Sequence, residues 1–312
     1  MRFLYVFHFL KYEKRVKCAM RTPKTAVSII VLVVVLILFC ALLYWNAGTA
    51  GKTEAQWDPR FLEALSLEQE EADRAGNDLV QTVEECVSSG AVSLELIQTA
   101  AGGDLICLYY ELTLPENWTA AWSALHQDAG ALAFEAQCSA AEGTAPDYRV
   151  TAVTGFDAAR GCVQCVSTFR FPDTDLLGET LTLTLGAFTL SGVPADAALP
   201  EEPLALSWTV QRRAEERLAQ IPEGICALSP LGLSVQLARD EALDAAGEVM
   251  ASLQVVYRDG TVVHSFGPNS ASISTAGEDC SAQILVLPQR GTLFCSDMVK
   301  RVDVCGMSFV FE

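Results

Sequence analysis

Apolar and polar residues alternate with a period of two through most of the chain after residue 78. In the clearest run, Ile106, Leu108, Tyr110, Leu112 and Leu114 fall on one face, which is the pattern of a half-buried β-strand. Similar runs recur at short spacing, namely LVQTVEECV, AVSLELIQT, ALAFEAQC, YRVTAVTGF, CVQCVSTFRF, ETLTLTL and LALSWTV. Short strands separated by turn residues predict antiparallel β-sandwiches and not an α/β fold.

A second set of alternating runs follows, made up of GICALSPLGLSVQLA, EVMASLQVVYR, TVVHSFG, SAQILVLP and VDVCGMSFVFE. Asp259-Gly260 lies between two of these runs and predicts a β-hairpin. Between the two sets, residues 212–224 are charged and do not alternate. The chain is therefore predicted to be mostly β. Its two antiparallel sandwich domains are expected at residues 79–211 and 225–312, with a connector at 212–224.

The N-terminal part has a different pattern. Ala26–Trp45 contains twenty residues without a charge, the length of a helix that spans a bilayer. Residues 1–25 hold seven basic residues and one acidic residue, whereas the rest of the chain holds 14 basic and 38 acidic residues. This asymmetry predicts a short cytoplasmic tail at 1–25, a transmembrane helix at 26–45 and extracytoplasmic domains after it. A cleaved signal peptide is the alternative, but its apolar stretch is usually shorter.

Residues 46–78 are predicted to form a juxtamembrane linker with a short helix. Asp58 is placed as the N-cap, Pro59 at the first helical position and Gly76 after the end. The apolar stripe consists only of Phe61, Leu62 and Leu65. Because that stripe is too small to stabilise an isolated helix, we expect a stalk or a docking helix.

The net charge of −18 argues against nucleic acid as a partner, since binding a polyphosphate depends on lysine and arginine. Histidines are few: His126 beside Asp128 and His264 in a strand are those beyond the predicted membrane span. The motifs of serine hydrolases, zinc proteases and phosphate-binding loops are absent. We therefore expect no catalytic residue, no cofactor-binding residue and no metal ligand.

Two motifs have the residue spacing of ligand sites, but neither has the remaining features of such a site. Cys162 and Cys165 have the spacing of a metal or redox pair, but they lie on a predicted strand, where residues three apart point to opposite faces. Nine cysteines follow the predicted span, and an odd number cannot all pair within one molecule, so free buried thiols are expected.

The second motif has Asp173, Asp175, Gly178 and Glu179 in part of a calcium-loop pattern. Leu177 and Thr184 occupy two positions where that loop needs oxygen ligands. We therefore expect an ordinary loop between two strands.

The basic tail, the single anchor, VEECVSSGAVSLELIQTAAGGDLICLYYEL, LSPLGLSVQL, YRDGTVV and VKRVDVCGMSFVF together resemble a family of Gram-positive bacterial membrane proteins. Members carry extracytoplasmic immunoglobulin-like domains of uncharacterised function, and some are similar to the outer parts of anti-sigma factors. The resemblance implies a link to sigma-factor signalling. The 25 residues of the cytoplasmic tail are too few to fold as a sigma-binding domain.

We expect a non-catalytic, membrane-anchored binding or sensing module. Its expected partners are the lipid bilayer, through Ala26–Trp45, and an extracytoplasmic protein or envelope ligand. A structural or adhesive envelope protein is the first alternative, and a ligand-specific pocket between the sandwiches would speak against it. A surface hydrolase is the second alternative, and two close carboxylates in a cleft would favour it.

Overall fold

The computed structural model describes residues 56–124, 132–141, 143–157, 159–191, 202–237, 251–264, 271–276 and 281–312, which belong to one compact unit, Ala55–Glu312. The tail 1–25, the predicted span Ala26–Trp45, His126 and Asp128 lie outside the described residues. Among the helices that are described, none has the length and apolar character needed to cross a membrane.

The described chain is mostly β, as predicted, and its sheets are antiparallel. The helices are α1 (Pro59–Leu65), α2 (Gln69–Ala75) and α3 (Glu116–Ala124). The strands are β1 (Val80–Ser89), β2 (Val92–Gly102), β3 (Leu105–Thr113), β4 (Leu132–Ala133), β5 (Ala136–Ala140), β6 (Tyr148–Asp157), β7 (Cys162–Arg170), β8 (Thr180–Leu185), β9 (Thr189–Leu190), β10 (Leu204–Thr209), β11 (Arg217–Ile221), β12 (Gly224–Ser229), β13 (Gly232–Leu237), β14 (Gln254–Tyr257), β15 (Val262–Val263), β16 (Ala271–Ala276), β17 (Ser281–Val286), β18 (Val299–Val304) and β19 (Met307–Val310).

The first sandwich consists of a five-stranded sheet in the order β1-β2-β3-β7-β6 and a three-stranded sheet in the order β10-β8-β5. Side chains from both sheets form one inner core. It contains Ile106, Leu108 and Tyr110 from β3, and it contains Leu183 and Trp208, which alternation in ETLTLTL and LALSWTV places inward. The period-two pattern therefore identified the inner face of this sandwich correctly.

The second sandwich consists of the sheets β11-β12-β13-β17-β16 and β15-β14-β18-β19. Its inner core contains Leu253, Val255, Ile284 and Val286, with Tyr257 packed against it. Alternation in EVMASLQVVYR and SAQILVLP places these residues on the inward faces of their strands, and each sandwich has an inner core of its own.

The predicted hairpin at Asp259-Gly260 is present between β14 and β15. The Tyr257 N–H donates to the Thr261 carbonyl at 2.8 Å, and the Asp259 carboxylate accepts from the Thr261 N–H at 2.8 Å. Gly260 adopts φ 91°, a conformation that glycine reaches without steric cost. The turn residue type therefore determined this connection, as the sequence indicated.

The segment 212–224, predicted as a connector, is only partly one. Arg217–Ile221 form β11, and β12 begins at Gly224. Ala219 is buried between the exposed Leu218 and Gln220, so alternation is present. The strand was not predicted because Leu218 is apolar at an outward position, where alternation requires a polar residue. The true link ends at Glu216, and its Ala214 N–H donates to the Ala101 carbonyl of the first sandwich at 2.9 Å.

The predicted single helix between Asp58 and Gly76 is two helices, because the chain turns at Ser66 with φ 57°. The predicted start is confirmed: Pro59 opens α1, and the Asp58 carboxylate caps it by accepting from the Arg60 N–H at 2.8 Å. Gly76 follows the end of α2.

A third apolar cluster joins α1 to both sandwiches. Phe61 of α1 stacks on Tyr109 at 5.6 Å between ring centroids, and Leu231, Leu285 and Leu293 of the second sandwich belong to the same cluster. Strand β3 is therefore buried on both faces, whereas the alternation predicted a half-buried strand. The two sandwiches keep separate inner cores but share this third cluster across their junction.

Candidate functional site

The outward face of the second sandwich's five-stranded sheet carries two short rows of side chains at the junction. The pairing of β11, β12, β13 and β17 sets these rows. They are Leu218, Ala227 and Ser234 in one row, and Ile225, Gln236 and Gln283 in the other. This mixed apolar and amide surface is the floor of a pocket.

The opposite wall of the pocket comes from the first sandwich and from the link. It consists of the β2–β3 turn at Gly103 and Asp104, the end of β7 at Arg170, the loop 173–175 and the end of the link at Arg213 and Glu216. The pocket is open to solvent on one side, and its volume is about 320 Å³, at the lower end of the range of small-ligand pockets, roughly 300–1,000 Å³. The two sandwiches must both be present to form it.

Arg170 is the central charge of this wall, and its side chain is 4 % exposed. Its Nε donates to Asp104 Oδ2 at 2.7 Å, and its Nη1 donates to Asp147 Oδ2 at 3.2 Å. With its amide oxygen turned toward the guanidinium, Gln283 accepts from Nη2 at 2.6 Å. Arg170 therefore ties three elements of the first sandwich to the second one, and it has little capacity left for a ligand.

Of the other charged side chains in the pocket, some have an ion-pair partner and some do not. Arg213 Nη1 lies 2.9 Å from Asp175 Oδ1, so this guanidinium also has a partner. Asp173 and Glu216 line the pocket, but no described residue forms a hydrogen bond or ion pair with either of them. Two guanidinium groups thus face four carboxylates, and the pocket has an excess of negative charge.

Glu216 lies directly against the β2–β3 turn. A Cβ at position 103 would be 2.6 Å from Glu216 Oε1 and would push this carboxylate aside, and Gly103 adopts φ 61°, a conformation that favours glycine. Burial raises the pKa of Glu216, Asp104 raises it further, and Arg213 and Arg170 lower it in part. Burial also raises the pKa of Asp104, against the attraction of Arg170. The junction therefore holds carboxylates that cost free energy when they are charged.

A second buried charge lies beneath α1, away from the pocket. The Glu111 side chain is 1 % exposed, with Arg60 Nη1 at 3.0 Å from Oε1 and Arg160 Nη1 at 2.7 Å from Oε2. The Tyr109 hydroxyl donates to Oε1 at 3.1 Å. The contact with Arg160 is an ion pair whose angle falls outside that of a hydrogen bond. Closed over by protein groups, Glu111 anchors α1 to the first sandwich.

The acidic loop considered for calcium takes part in the pocket. Asp173 and Asp175 lie at the pocket wall, while the Asp175 carboxylate also accepts from the Leu177 N–H at 3.1 Å. Gly178 and Glu179 instead bond to Val210 through their backbones. No group of three or more potential metal ligands occurs in the described residues.

Cys162 and Cys165 lie on β7, as the strand assignment predicts, and both are buried free thiols. Cys165 is in the inner core, whereas Cys162 Sγ is 3.4 Å from Thr113 Oγ1. Burial raises the pKa of the Cys165 thiol. His264 is exposed just after β15, and it does not contribute to the pocket.

Sequence reasoning missed Arg170, Asp104 and Glu216. One signal was available: Arg170 stands between Phe169 and Phe171 in an apolar strand, and a charge in such a run is rarely buried without a partner. Asp104 and Glu216 carried no comparable signal, because each stands in a polar turn or link. Only the packing of the sandwiches brings them together.

The chain matches no family model and no curated protein. Among solved structures, a conserved domain protein from Bacillus anthracis is similar to it, with a TM-score of 0.44 and 10 % identity, covering 72 % of this chain and 76 % of that one. A likeness at this level does not bear on function.

Proposed function

We propose that this chain is a membrane-anchored, extracytoplasmic binding or sensing module whose small ligand occupies the pocket between the two sandwiches. The pocket itself carries this proposal. It has the volume of a small-ligand site, and its walls come from two sandwiches whose inner cores are separate. Its wall includes two carboxylates, Asp173 and Glu216, that have no partner among the described residues.

The anchor in this proposal is Ala26–Trp45, and its support is the sequence pattern of an uncharged span between a basic tail and an acidic remainder. The immunoglobulin-like character of the sandwiches is part of the same proposal. The antiparallel sheets and the inner core of each half support it. The anchor is tested by fractionation and by protease added to intact cells. Full-length protein in the membrane fraction, with its outer part digested, is expected; release of a soluble product that begins near Gly51 would contradict it.

The pocket is tested with the full-length protein in lipid nanodiscs. Thermal unfolding is followed with glucose, N-acetylglucosamine, lysine, 1,5-diaminopentane and glutarate as probes. We expect one class of probe to raise the unfolding temperature, since a ligand at 100 times its Kd stabilises by about 2.7 kcal/mol. Ala227→Trp places a large side chain on the pocket floor, and it should abolish the shift.

Val262→Trp is the control, because Val262 is exposed on the other sheet of the same sandwich and does not line the pocket. It should keep the shift. An equal shift in Ala227→Trp, or no shift with any probe, would contradict ligand binding in this pocket and favour the structural or adhesive alternative.

One observation favours a hydrolase as a second candidate function. Asp104 and Glu216 are two carboxyl groups of raised pKa in one pocket, and glycoside hydrolases use one carboxyl group as proton donor with a second, charged carboxylate as nucleophile or base. Asp104, however, is bonded to Arg170 at 2.7 Å, so the carboxylate that would act as nucleophile or base already has a partner. Hydrolysis of an aryl glycoside that is lost in both Asp104→Asn and Glu216→Gln would support this candidate.

A further inference from the structure

We propose that the pocket ligand is an alkylammonium group, either of a free diamine or of a lysine side chain. Its nitrogen is bound by Glu216 and Asp173, and its alkyl chain lies along Leu218, Ile225 and Ala227. This inference rests on the proposed function, because it names the ligand of the same pocket. The inference follows from the excess of negative charge on the pocket wall and from the exposed apolar side chains on the pocket floor.

The guanidinium groups of the pocket are already engaged. Arg170 is bonded to Asp104, Asp147 and Gln283, and Arg213 is paired with Asp175. An anionic ligand would have to break these pairs and then face the remaining carboxylates. A cationic ligand meets Glu216 and Asp173, which no described residue pairs with. Charge therefore selects a cation.

The floor next to Glu216 selects the shape of that cation. Leu218 follows Glu216 by two residues at the start of β11, is 65 % exposed, and pairs across the sheet with Ala227. Ile225 is 39 % exposed one strand away. Exposed aliphatic side chains on a sheet face gain free energy when an alkyl chain covers them, about 25 cal/mol for each Å² of apolar surface removed from water. A bare inorganic cation would leave these side chains uncovered.

The pocket volume agrees with this ligand. A volume of about 320 Å³ holds a chain of several methylene groups with its terminal nitrogen, and Gln236 and Ser234 on the floor offer neutral hydrogen-bonding groups for the far end. A free diamine and a peptidyl lysine present the same ammonium and stem. They differ in what is attached at the far end.

The test is calorimetric titration of the full-length protein in nanodiscs with 1,5-diaminopentane and, separately, with the peptide acetyl-Gly-Lys-Gly-amide. Pentane-1,5-diol and glutarate have similar chains and the wrong charge. We expect at least one of the amines to bind at least about tenfold more tightly than the diol and glutarate, a difference of about 1.4 kcal/mol. Binding of the diamine alone identifies a free amine, and binding of the peptide alone identifies a lysine side chain.

Glu216→Gln should weaken amine binding at least about tenfold. Glu215→Gln, which changes an exposed neighbour outside the pocket wall, should leave it unchanged. Equal binding of the diol, or binding unaffected by Glu216→Gln, would overturn the inference. A different outcome separates this inference from the proposed function. Suppose that a sugar or glutarate stabilises the protein, that Ala227→Trp abolishes this stabilisation, and that no amine binds. The proposed function is then supported, and the assignment of an amine ligand is wrong.

Discussion

Among the described residues, the two buried charged side chains, Glu111 and Arg170, are opposite in sign and in setting. Glu111 is a buried acid between the arginines Arg60 and Arg160, which are 39 % and 45 % exposed. Arg170 is a buried base between Asp104 and Asp147, and it lies in the wall of an open pocket. The arginine partners of Glu111 reach water, whereas Asp104, one partner of Arg170, lines the pocket.

This difference indicates what each centre can do. The protein closes Glu111 under α1, so a ligand has no access to it and its role is to hold the helix. Around Arg170 the acids outnumber the bases, and the surplus carboxylates face a pocket. Burial makes the charged form of Glu216 unfavourable in the folded state, so this surplus does not stabilise the fold and is compatible with the binding role proposed above. Four variants test this contrast.

The largest effect is expected when Glu111 loses both partners. Arg60→Ala combined with Arg160→Ala leaves a buried carboxylate without a counter-ion, and breaking a buried pair in this way costs about 3–5 kcal/mol. Urea unfolding of the full-length protein in detergent micelles measures it. Arg74→Ala is the control, since Arg74 pairs only with Glu70 and Glu71 on the surface of α2, and it should unfold like the parent.

A somewhat smaller loss, about 2–3 kcal/mol, is expected for Arg170→Gln at neutral pH, because its partners are partly exposed. Without the guanidinium, the pKa of Asp104 in the folded state should rise further above its ordinary value. The folded protein then binds a proton that the unfolded chain releases, so stability present at low pH is lost as pH rises through the raised pKa. A deficit that is equal at about pH 5 and about pH 7 would count against this account.

Glu111→Gln should cost only about 1–2 kcal/mol. The arginines that lose their partner can turn toward water, whereas the reverse change leaves a carboxylate in the protein interior. Urea unfolding should be used to compare the free energy of unfolding of Glu111→Gln with that of the Arg60→Ala, Arg160→Ala double variant. If Glu111→Gln were as destabilising as that variant, the asymmetry between exposed and buried partners would be wrong.

The smallest effect, and the one with the opposite sign, is expected for Glu216→Gln. Burial and Asp104 raise the pKa of Glu216, so its charge destabilises the folded state once pH exceeds the ordinary value of about 4.3. The variant should therefore unfold at a higher temperature than the parent at neutral pH and at the same temperature at low pH. A lower unfolding temperature at neutral pH would show that the Glu216 carboxylate has a stabilising partner.

The sequence was informative about features that depend on a single strand or turn. The inward positions of both sandwiches follow from alternation, and the Asp58 cap and the Gly260 turn follow from residue type. It was uninformative where two surfaces meet. Strand β11 was missed because its outward Leu218 broke the expected pattern. The outer face of β3 carries Cys107 and Tyr109, and nothing local indicates that α1 and a second sandwich cover them.

The pocket illustrates the same limit more strongly. Gly103, Arg170 and Glu216 come from three distant parts of the chain, and each sits in a turn, a strand end or a link of ordinary composition. Alternation predicts which residues of one sheet share a face, but it carries no information on which outward faces of two sandwiches will meet. The acidic loop at Asp173 was noticed for a calcium pattern, and its place in the pocket wall depends on the packing of Arg213 beside it.

The junction of the sandwiches has a mechanical consequence. Besides the link through Ala214 and the bond between Arg170 and Gln283, the end of α1 makes a further attachment. There the Gly291 N–H donates to the Leu65 carbonyl at 3.2 Å and Arg290 Nε donates to Ser66 Oγ at 3.1 Å. A domain attached only by a flexible link can rotate about it, whereas attachment at several points restricts that rotation. Tension applied through the residues that precede α1 would therefore load both sandwiches at once, without first stretching the link.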